Sequence, residues 1–245
     1  MASRGPGGVG FGLLVICFLL ALGGRPDTRP ASGGAEVELE EPLAALTFDD
    51  GPRAETTGPL LEELSRRGVR ASFFLVGERI PGNEELICRM AARGNQIGVH
   101  TEHHVKLTEG NQARYDREVG AVRGKLTDLL GPGDYWLRPP YGILDARVRS
   151  WADGPLVLWS VDPEDWRERD ADRVTEAVLS RVRDGDIILL HDIYSTSTEA
   201  ALRITDGLLE RGFRLVTVRE LMERRGREPV PGRPVSRCPP PALVH

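Results

Sequence analysis

The chain has 245 residues, which is long enough for one large domain with a sizeable core. Hydrophobic residues make up 40% of it and charged residues 28%, a composition that excludes a disordered, collagenous or multi-span membrane protein. The formal net charge of −5 lacks the basic excess that binding to a phosphate backbone requires, so we expect no nucleic-acid partner, and no obligate protein partner is evident.

Residues 1–24 have the pattern of an export signal or an N-terminal anchor. One positive side chain, Arg4, precedes an apolar run from Phe11 to Leu22, and small residues follow the run as a cleavage site would require. The run is shorter than the about 20 residues that a membrane-spanning helix needs. We therefore expect a secreted, extracellular or cell-wall associated protein, with an uncleaved membrane anchor as the alternative. Residues 25–41, rich in Pro, Gly, Ala and Glu, are predicted to be a linker.

The cysteines predict no metal site. Cys17, Cys88 and Cys238 lack the close spacing of a zinc ribbon or a redox motif. If the leader is removed after export, Cys88 and Cys238 remain in an oxidising space, where a disulfide between them is an option that the sequence leaves open.

Residues 42–226 alternate short apolar runs with amphipathic segments, and a glycine follows each amphipathic segment. This pattern predicts seven strand–helix cycles. The predicted strands are Leu43–Phe48, Ala71–Val76, Gln96–Val99, Tyr135–Arg138, Leu156–Val161, Asp186–His191 and Arg214–Val218. The predicted helices are Thr57–Arg67, Glu84–Arg93, Ala113–Leu130, Asp145–Asp153, Ala171–Arg183, Thr198–Arg211 and Arg219–Arg225.

Repeated βα units with near-continuous apolar strands indicate an α/β fold with a parallel sheet, either an open doubly wound sheet or a closed barrel. The first strand is not followed by a G-x-G-x-x-G turn, which favours the barrel. We predict a distorted (β/α)7 TIM-like barrel that forms a single catalytic domain. Residues 227–245 contain six prolines and no helix or strand pattern, so they are predicted to be a peripheral Pro-rich tail.

In a barrel of this kind, functional side chains follow the carboxyl ends of the strands. The first strand ends in Asp49 and Asp50, followed by Gly51-Pro52, a turn that would bring both carboxylates to one site. A helix-capping loop would explain the same residues. After the third strand, His100 and His104 have the i, i+4 spacing that brings two imidazoles to one face of a helical turn, the arrangement of a metal-ligand pair. We leave His103 to solvent.

Three further strand ends carry charged residues. Arg138 follows the fourth strand, Asp165 follows the fifth, and His191 ends the sixth. Taken singly, each has an ordinary structural explanation: a surface guanidinium, a helix cap and a buried core histidine. Their common position at one end of the predicted barrel favours a shared site.

The ordered motifs TFDDGP, HTEHH, RPPYG, DPEDW and LLHD resemble the five motifs of the polysaccharide deacetylase family, which is also called the NodB homology domain or carbohydrate esterase family 4. The resemblance covers Leu43 to Glu223. One departure is Val99, where the family often has asparagine before the first motif histidine. This change affects a hydrogen bond behind the metal ligands and not a ligand itself.

The resemblance implies one divalent metal ion, held by Asp50, His100 and His104, with a coordination position open for water and substrate. Zinc is expected first, and the same ligands suit cobalt or nickel. The resemblance further implies that Asp49 is the catalytic base and that Arg138 pairs with it, holding the carboxylate through two hydrogen bonds.

The resemblance assigns the remaining steps to residues of the other motifs. His191 would be the general acid, and Asp165 would orient its ring and raise its pKa. The backbone N–H of Tyr141 would stabilise the oxyanion, while Leu189 and Trp166 would form an apolar wall around the acetyl methyl group. Asp162 and His103 receive no role.

The sequence therefore predicts a hydrolase that removes N-acetyl groups from an N-acetylated glycan, such as peptidoglycan or a chitin-like polymer. An O-acetyl esterase acting on xylan or exopolysaccharide and a non-catalytic glycan-binding barrel stay open as alternatives. Glycoside hydrolysis is disfavoured because it needs two carboxylates and no metal. The sequence leaves the glycan, the metal and the oligomeric state undecided.

Overall fold

The structure of the protein is a computed structural model in which residues 41–241 are described. The predicted export signal and nearly all of the predicted linker lie outside these residues. The strands are β1 (Leu43–Asp49), β2 (Ser72–Leu75), β3 (Gln96–Val99), β4 (Leu156–Val157), β5 (Asp186–His191), β6 (Arg214–Leu215) and β7 (Pro234–Val235). The helices are α1 (Ala54–Arg66), α2 (Glu84–Ala92), α3 (Gln112–Leu130), α4 (Ala146–Trp151), α5 (Asp165–Glu168), α6 (Ala171–Leu179), α7 (Ser195–Glu210) and α8 (Val218–Arg224).

The parallel sheet is centred on β1. β1 pairs with β2 and with β5, β2 pairs with β3, and β6 pairs with the first residues of β1. Isolated bridges continue the pairing from Val99 to Leu137, from Leu137 to Leu156, and from Val161 to Ile188 on β5. The ring of pairings closes, so the fold is a distorted (β/α)7 barrel that forms a single catalytic domain, as predicted.

Two apolar clusters hold the barrel together. Because side chains alternate along a strand, Ala44 and Leu46 of β1 pack in a cluster with helix residues such as Leu64 of α1. Ala45 of β1 belongs to the other cluster, in which side chains of several strands meet α8. Nearly every residue of the strands is buried, which explains why they read as continuous apolar runs rather than alternating ones.

Four predicted strands are shorter than expected, and β2 loses only one residue at each end. The segment Tyr135–Arg138 contributes only the bridges of Leu137, and Leu156–Val161 is divided into β4 and the bridge at Val161. β6 ends at Leu215 because Thr217 caps α8, its side chain accepting a hydrogen bond from the backbone N–H of Glu220. The short helix α5 was not predicted. Within residues 41–241, no helix is long and apolar enough to cross a membrane.

The prediction that the tail lacks a strand is wrong. β7 pairs in parallel with β4, and the backbone N–H of Leu158 donates to the carbonyl of Val235 at 2.8 Å. Further along, the N–H of Cys238 donates to the carbonyl of Gly185 at 2.7 Å, and Cys238 is buried. A strand that begins with proline suits this position at the edge of the pairing, because its missing N–H breaks no ladder. Among the described residues, Cys88 and Cys238 are both free, so no disulfide joins them.

The interior of the barrel has no room for another methyl group beside β3. A Cβ added at Gly98 would lie 2.5 Å from the ring of Phe74 and 2.7 Å from the carbonyl oxygen of Trp136. We expect Gly98→Ala to lower the free energy of unfolding by about 1–3 kcal/mol, the usual cost of overpacking. Urea denaturation followed by circular dichroism would measure this change.

Gly120 provides the matched control, since it lies on the exposed face of α3 and an added Cβ meets nothing within 4 Å. Gly120→Ala should raise the free energy of unfolding by roughly 0.5–1 kcal/mol. An unchanged midpoint for Gly98→Ala would show that the barrel interior is looser than the structure indicates.

Candidate active site

Asp49 and Asp50 lie where β1 ends, at the carboxyl end of the barrel. Asp49 is the last residue of the strand and is buried, and Asp50 begins the loop with a left-handed backbone, φ 71°. The sequence predicted that Gly51-Pro52 would re-aim one carboxylate, but Asp50 itself makes that change of direction. Arg79 stabilises this backbone conformation, because its Nη1 donates to the backbone carbonyl of Asp50 at 2.9 Å.

Asp50, His100 and His104 form a cluster with the features of a metal site. Their ligand atoms all lie within 4.8 Å of one another. Asp50 Oδ1 is 3.3 Å from His104 Nε2 and 3.6 Å from His100 Nε2. This oxygen is buried and makes no hydrogen bond among the residues that the structure describes. Two imidazoles and a carboxylate oxygen without a donor fit a divalent cation.

His100 is held in the orientation and charge state that a metal ligand needs. Its Nδ1 lies 2.7 Å from the carbonyl oxygen of Arg138, which assigns the proton to Nδ1. The Nε2 lone pair is left facing the carboxylates of Asp49 and Asp50, each 3.6 Å away. Burial lowers the pKa of His100 to about 3, so the ring is neutral. The His100 ring therefore donates to a backbone carbonyl, and this hydrogen bond does not depend on the side chain of Val99.

His103 and His104 point to different surroundings. The His104 ring meets the ring of Tyr141 edge-on, with 4.7 Å between ring centroids, and its side chain is 30% exposed. His103 instead lies against Glu118 of α3, which accepts from its backbone N–H at 3.0 Å and contacts its Nδ1 at 3.1 Å. The structure thus brings His104 to the cluster and leaves His103 at the surface.

Arg138 is a fully buried cation in contact with Asp49. Its Nη1 donates to Asp49 Oδ1 and to Thr47 Oγ1, both at 2.7 Å. Its Nε and Nη2 donate to the carbonyls of Val157 and Leu158, and the guanidinium lies 4.2 Å from the centre of the Phe74 ring. The predicted two-point hydrogen bonding to Asp49 is wrong, because Arg138 also donates to the Thr47 hydroxyl and to two backbone carbonyls.

Burial raises the pKa of Asp49 above its ordinary value, and the charge and hydrogen bond of Arg138 oppose that rise. Burial lowers the pKa of Arg138, because it disfavours the charged guanidinium. Asp49 is thus a stronger base than an exposed aspartate, while the neighbouring guanidinium favours its ionised form. A carboxylate with these properties suits proton abstraction from water.

His191 and Asp165 are joined by two hydrogen bonds. Asp165 accepts from His191 Nδ1 and from its backbone N–H, each at 2.8 Å, and Asp165 is fully buried. Burial disfavours the charged imidazole, but the hydrogen bond and the charge of Asp165 outweigh it and raise the pKa of His191 to about 9. The ring is therefore protonated at neutral pH.

The pairing of β1 and β5 sets the distance between the two candidate proton-transfer groups. Asp49 and His191 are directly paired residues on these neighbouring parallel strands. Leu189 lies two residues before His191 and is buried, so it shares a face of β5 with that histidine. Trp166 on α5 is 48% exposed and Tyr141 is 55% exposed. Both aromatic rings are therefore accessible to a ligand.

Backbone strain is concentrated in the loops that carry the motifs. Among the described residues other than glycine, a positive φ occurs at Asp50, Thr101, His104, Tyr141, Glu164 and Arg169. Such conformations cost energy for residues with a Cβ and are commonly stored at functional sites. Asp50 and His104 of the cluster share this property, and so does Tyr141, whose ring meets the His104 ring edge-on.

Sequence reasoning assigned no role to two buried polar residues of the site. Thr47 donates its hydroxyl proton to the carbonyl of Ile188 at 2.6 Å while it accepts from Arg138. Asp192 is buried and accepts from Thr57 Oγ1 at 2.6 Å, and burial raises its pKa to about 7. A polar residue inside an apolar strand and an acidic residue directly after His191 were the available signals. Asp162, which received no role, accepts from the backbone N–H of Glu164 in a turn.

A family model described as polysaccharide deacetylase matches residues 36–153. The chain is 34% identical to the peptidoglycan-N-acetylglucosamine deacetylase of Bacillus cereus, in an alignment that covers 73% of this chain and 68% of that protein. The chain belongs to the polysaccharide deacetylase family. It is also 36% identical to the peptidoglycan-N-acetylmuramic acid deacetylase PdaC of Bacillus subtilis over 76% of this chain, and it spans 40% of the length of that relative.

A solved member of the same family has the same barrel. The family 4 acetyl xylan esterase from Clostridium thermocellum, solved in complex with a cobalt ion, superposes with a TM-score of 0.77 at 29% identity. The superposition covers 80% of this chain and 99% of that one. A metal ion is thus present in the structure of a relative whose chain this fold covers almost completely.

The contrast between His104 and His103 allows a direct test of the metal site. We expect His104→Ala to weaken zinc binding by more than about tenfold, the loss that removing even an outer partner of a ligand can cause. His103→Ala should bind zinc as the unmodified protein does, because His103 contacts Glu118 instead of the cluster. Calorimetric titration of metal-free protein would measure both affinities, and equal losses in the two variants would contradict the site.

Proposed function

We propose that this protein is a metal-dependent N-deacetylase acting on peptidoglycan, releasing acetate and leaving a free amine on the sugar. The observation that supports it most strongly is the pairing of Asp49 with His191 across β1 and β5, beside the Asp50, His100 and His104 cluster. A buried carboxylate and a protonated imidazole on neighbouring strands provide the base and the acid that amide hydrolysis requires. The names of the relatives from both Bacillus species support the choice of glycan.

Asp50, His100 and His104 would hold the cofactor, one divalent cation, for which zinc is our first choice and cobalt or nickel are alternatives. When bound, such a cation supplies Lewis-acid chemistry, which polarises a carbonyl group and makes water more acidic. Three protein ligands are typical of a catalytic site, whereas structural zinc sites usually have four.

Asp49 would act as the base that removes a proton from the attacking water. Its raised pKa increases its affinity for that proton, and Arg138 holds the carboxylate in place through the 2.7 Å hydrogen bond to Oδ1. Arg138 touches Asp49 rather than the substrate, so its role in this mechanism is to position and charge-balance the base.

His191 would deliver a proton to the sugar nitrogen as the carbon–nitrogen bond breaks. An amine is a poor leaving group unless it is protonated, so the acid has to carry its proton at neutral pH. Asp165 ensures this by accepting from Nδ1, which also leaves Nε2 as the nitrogen that faces away from Asp165. The acyl group takes the water oxygen and becomes acetate, and the sugar keeps the nitrogen.

Three residues would contact the acetamide group. The backbone N–H of Tyr141, in a strained turn next to His104, is proposed as a donor to the developing oxyanion. Leu189 and Trp166 are proposed as the apolar wall that receives the acetyl methyl group. Leu189 supplies a buried surface beside His191, and Trp166 supplies an exposed ring next to Asp165.

A peptidoglycan substrate would place the protein outside the cytoplasmic membrane, in agreement with the export pattern predicted for residues 1–24. An O-acetyl esterase is the second candidate, favoured by the similarity to the acetyl xylan esterase of Clostridium thermocellum. Acetate release from peptidoglycan, chitin oligomers and acetylated xylan would separate these activities. Binding to a glycan without release of acetate would instead indicate a non-catalytic barrel.

Replacing the base should remove turnover and leave the cation site in place. We expect Asp49→Asn to lower kcat/KM for acetate release by roughly 10²–10⁴-fold, the usual contribution of a general base. The variant should still bind zinc, because Asp49 is not part of the ligand cluster. The exposed Asp116 on α3 offers a control, and Asp116→Asn should keep full activity. Retained activity in Asp49→Asn would contradict this assignment.

The pH dependence should report the proton held by His191. The acid step needs the protonated ring, so kcat/KM should fall as the pH rises through about 9, the pKa that Asp165 imposes. Asp165→Asn removes the charge that raises this pKa, and burial then lowers it toward or below the ordinary value of about 6.5. The alkaline limb of the pH–rate profile should move to lower pH. An unmoved limb would assign it to a group other than His191.

A further inference from the structure

The mechanism above makes no use of Asp192, a fully buried carboxyl directly after His191. Its Oδ1 makes no hydrogen bond within the part of the chain that the structure describes. Burying a carboxyl group with an unpartnered oxygen costs free energy, and burial raises the pKa of Asp192 to about 7. Because burying Asp192 costs free energy, stability does not explain why a carboxyl group lies here beside the site.

Asp192 is connected to the loop after β1 by a chain of hydrogen bonds. The hydroxyl of Thr57 on α1 donates to Asp192 Oδ2 at 2.6 Å. The same Thr57 oxygen accepts from the backbone N–H of Arg53 at 2.9 Å. Arg53 also donates from Nη1 to the carbonyl of Ile193 at 3.3 Å. These contacts join the end of β5 to the loop that contains Asp50.

Asp192 also packs directly against that loop. A Cβ added at Gly51 would lie 2.4 Å from both carboxyl oxygens of Asp192, which is far inside contact distance. Gly51 does not have a positive φ, so a glycine is required here by the close approach of the carboxyl group and not by backbone conformation. The carboxyl group therefore occupies the space that a side chain at position 51 would take.

The loop needs such support because Asp50 has a left-handed backbone, which is strained for a residue with a Cβ. On one side the loop is fixed by Arg79, which donates to the carbonyl of Asp50, and by the N–H of Val76, which donates to the carbonyl of Gly51 at 3.0 Å. Asp192 and Thr57 fix it from the side of β5.

We propose that Asp192 is a positioning residue for Asp50: packed against Gly51 and tied through Thr57 to Arg53, it directs the Asp50 carboxylate towards His100 and His104. The inference rests on the cation site of the proposed function and is independent of the identity of the glycan. Its effect should appear in metal affinity and ligand geometry before any substrate is added.

Cobalt(II) is the probe, because its visible absorption spectrum reports the geometry of its ligands. The full chain would be stripped of metal, and the cobalt dissociation constant and spectrum would be measured for Asp192→Ala, Asp192→Asn and Thr57→Val. Asp186→Ala is the matched control, since Asp186 is a buried aspartate at the opposite end of the same strand, where it accepts from Ser160 and Arg183. Thermal unfolding of each metal-free variant would report stability separately.

We expect Asp192→Ala to weaken cobalt binding by about tenfold or more and to change the spectrum. Thr57→Val should do the same to a smaller extent. Asp192→Asn should bind cobalt nearly as the unmodified protein does, because an amide fills the same space and its oxygen accepts from Thr57. Asp186→Ala should lower the unfolding temperature and leave affinity and spectrum unchanged.

Wild-type affinity and spectrum in both Asp192→Ala and Thr57→Val would overturn the proposal. If Asp192→Ala does not fold, Thr57→Val decides the question, since it removes one hydroxyl from the same chain of hydrogen bonds. An Asp192→Asn variant as impaired as the alanine variant would also contradict it. A protein that binds cobalt normally but releases no acetate from any glycan would refute the proposed function instead, leaving the role of Asp192 in place.

Discussion

The contact between Arg138 and Asp49 is the interaction on which the rest of the site depends. A guanidinium buried in a barrel is costly unless its donors find partners. The partners of Arg138 come from β1, from Val157 at the end of β4 and from Leu158 directly after it. The carbonyl of the same residue accepts from His100. One side chain and its own backbone thus hold the carboxylate of the candidate base and orient a candidate metal ligand.

Barrel closure then brings these groups together. Asp49 belongs to the first strand and His191 to the fifth, and they are neighbours because β1 and β5 are paired in register. Shifting that pairing by one residue would turn one of the two side chains to the other face of the sheet. The apolar residues of β1 and β5 prevent such a shift, since it would also expose the buried core to polar surroundings. The relative position of Asp49 and His191 is therefore fixed by the hydrophobic packing of β1 and β5.

The sequence predicts the barrel and the clustering of its strand-end residues, because both depend on local patterns. Apolar runs and glycines mark the strands and helix ends, and the spacing of His100 and His104 is itself local. The hydrogen-bond partners of Arg138 were not predictable in this way. They are backbone carbonyls near position 158, and only the folded chain brings them within reach. The environment of Asp192 was not predictable for the same reason, since its partner Thr57 lies far away in sequence.

The tail contains another pairing that the sequence does not predict. Its six prolines are not typical of a strand, and the two residues of β7 pair with β4, which lies far upstream. That pairing has a consequence for how the chain matures. During synthesis, β4 leaves the ribosome well before β7, so its edge stays open until Val235 and its neighbours have been added. An open strand edge is a template for pairing with other chains. The edge of β4 is therefore covered only by a segment that looks, in the sequence, most dispensable.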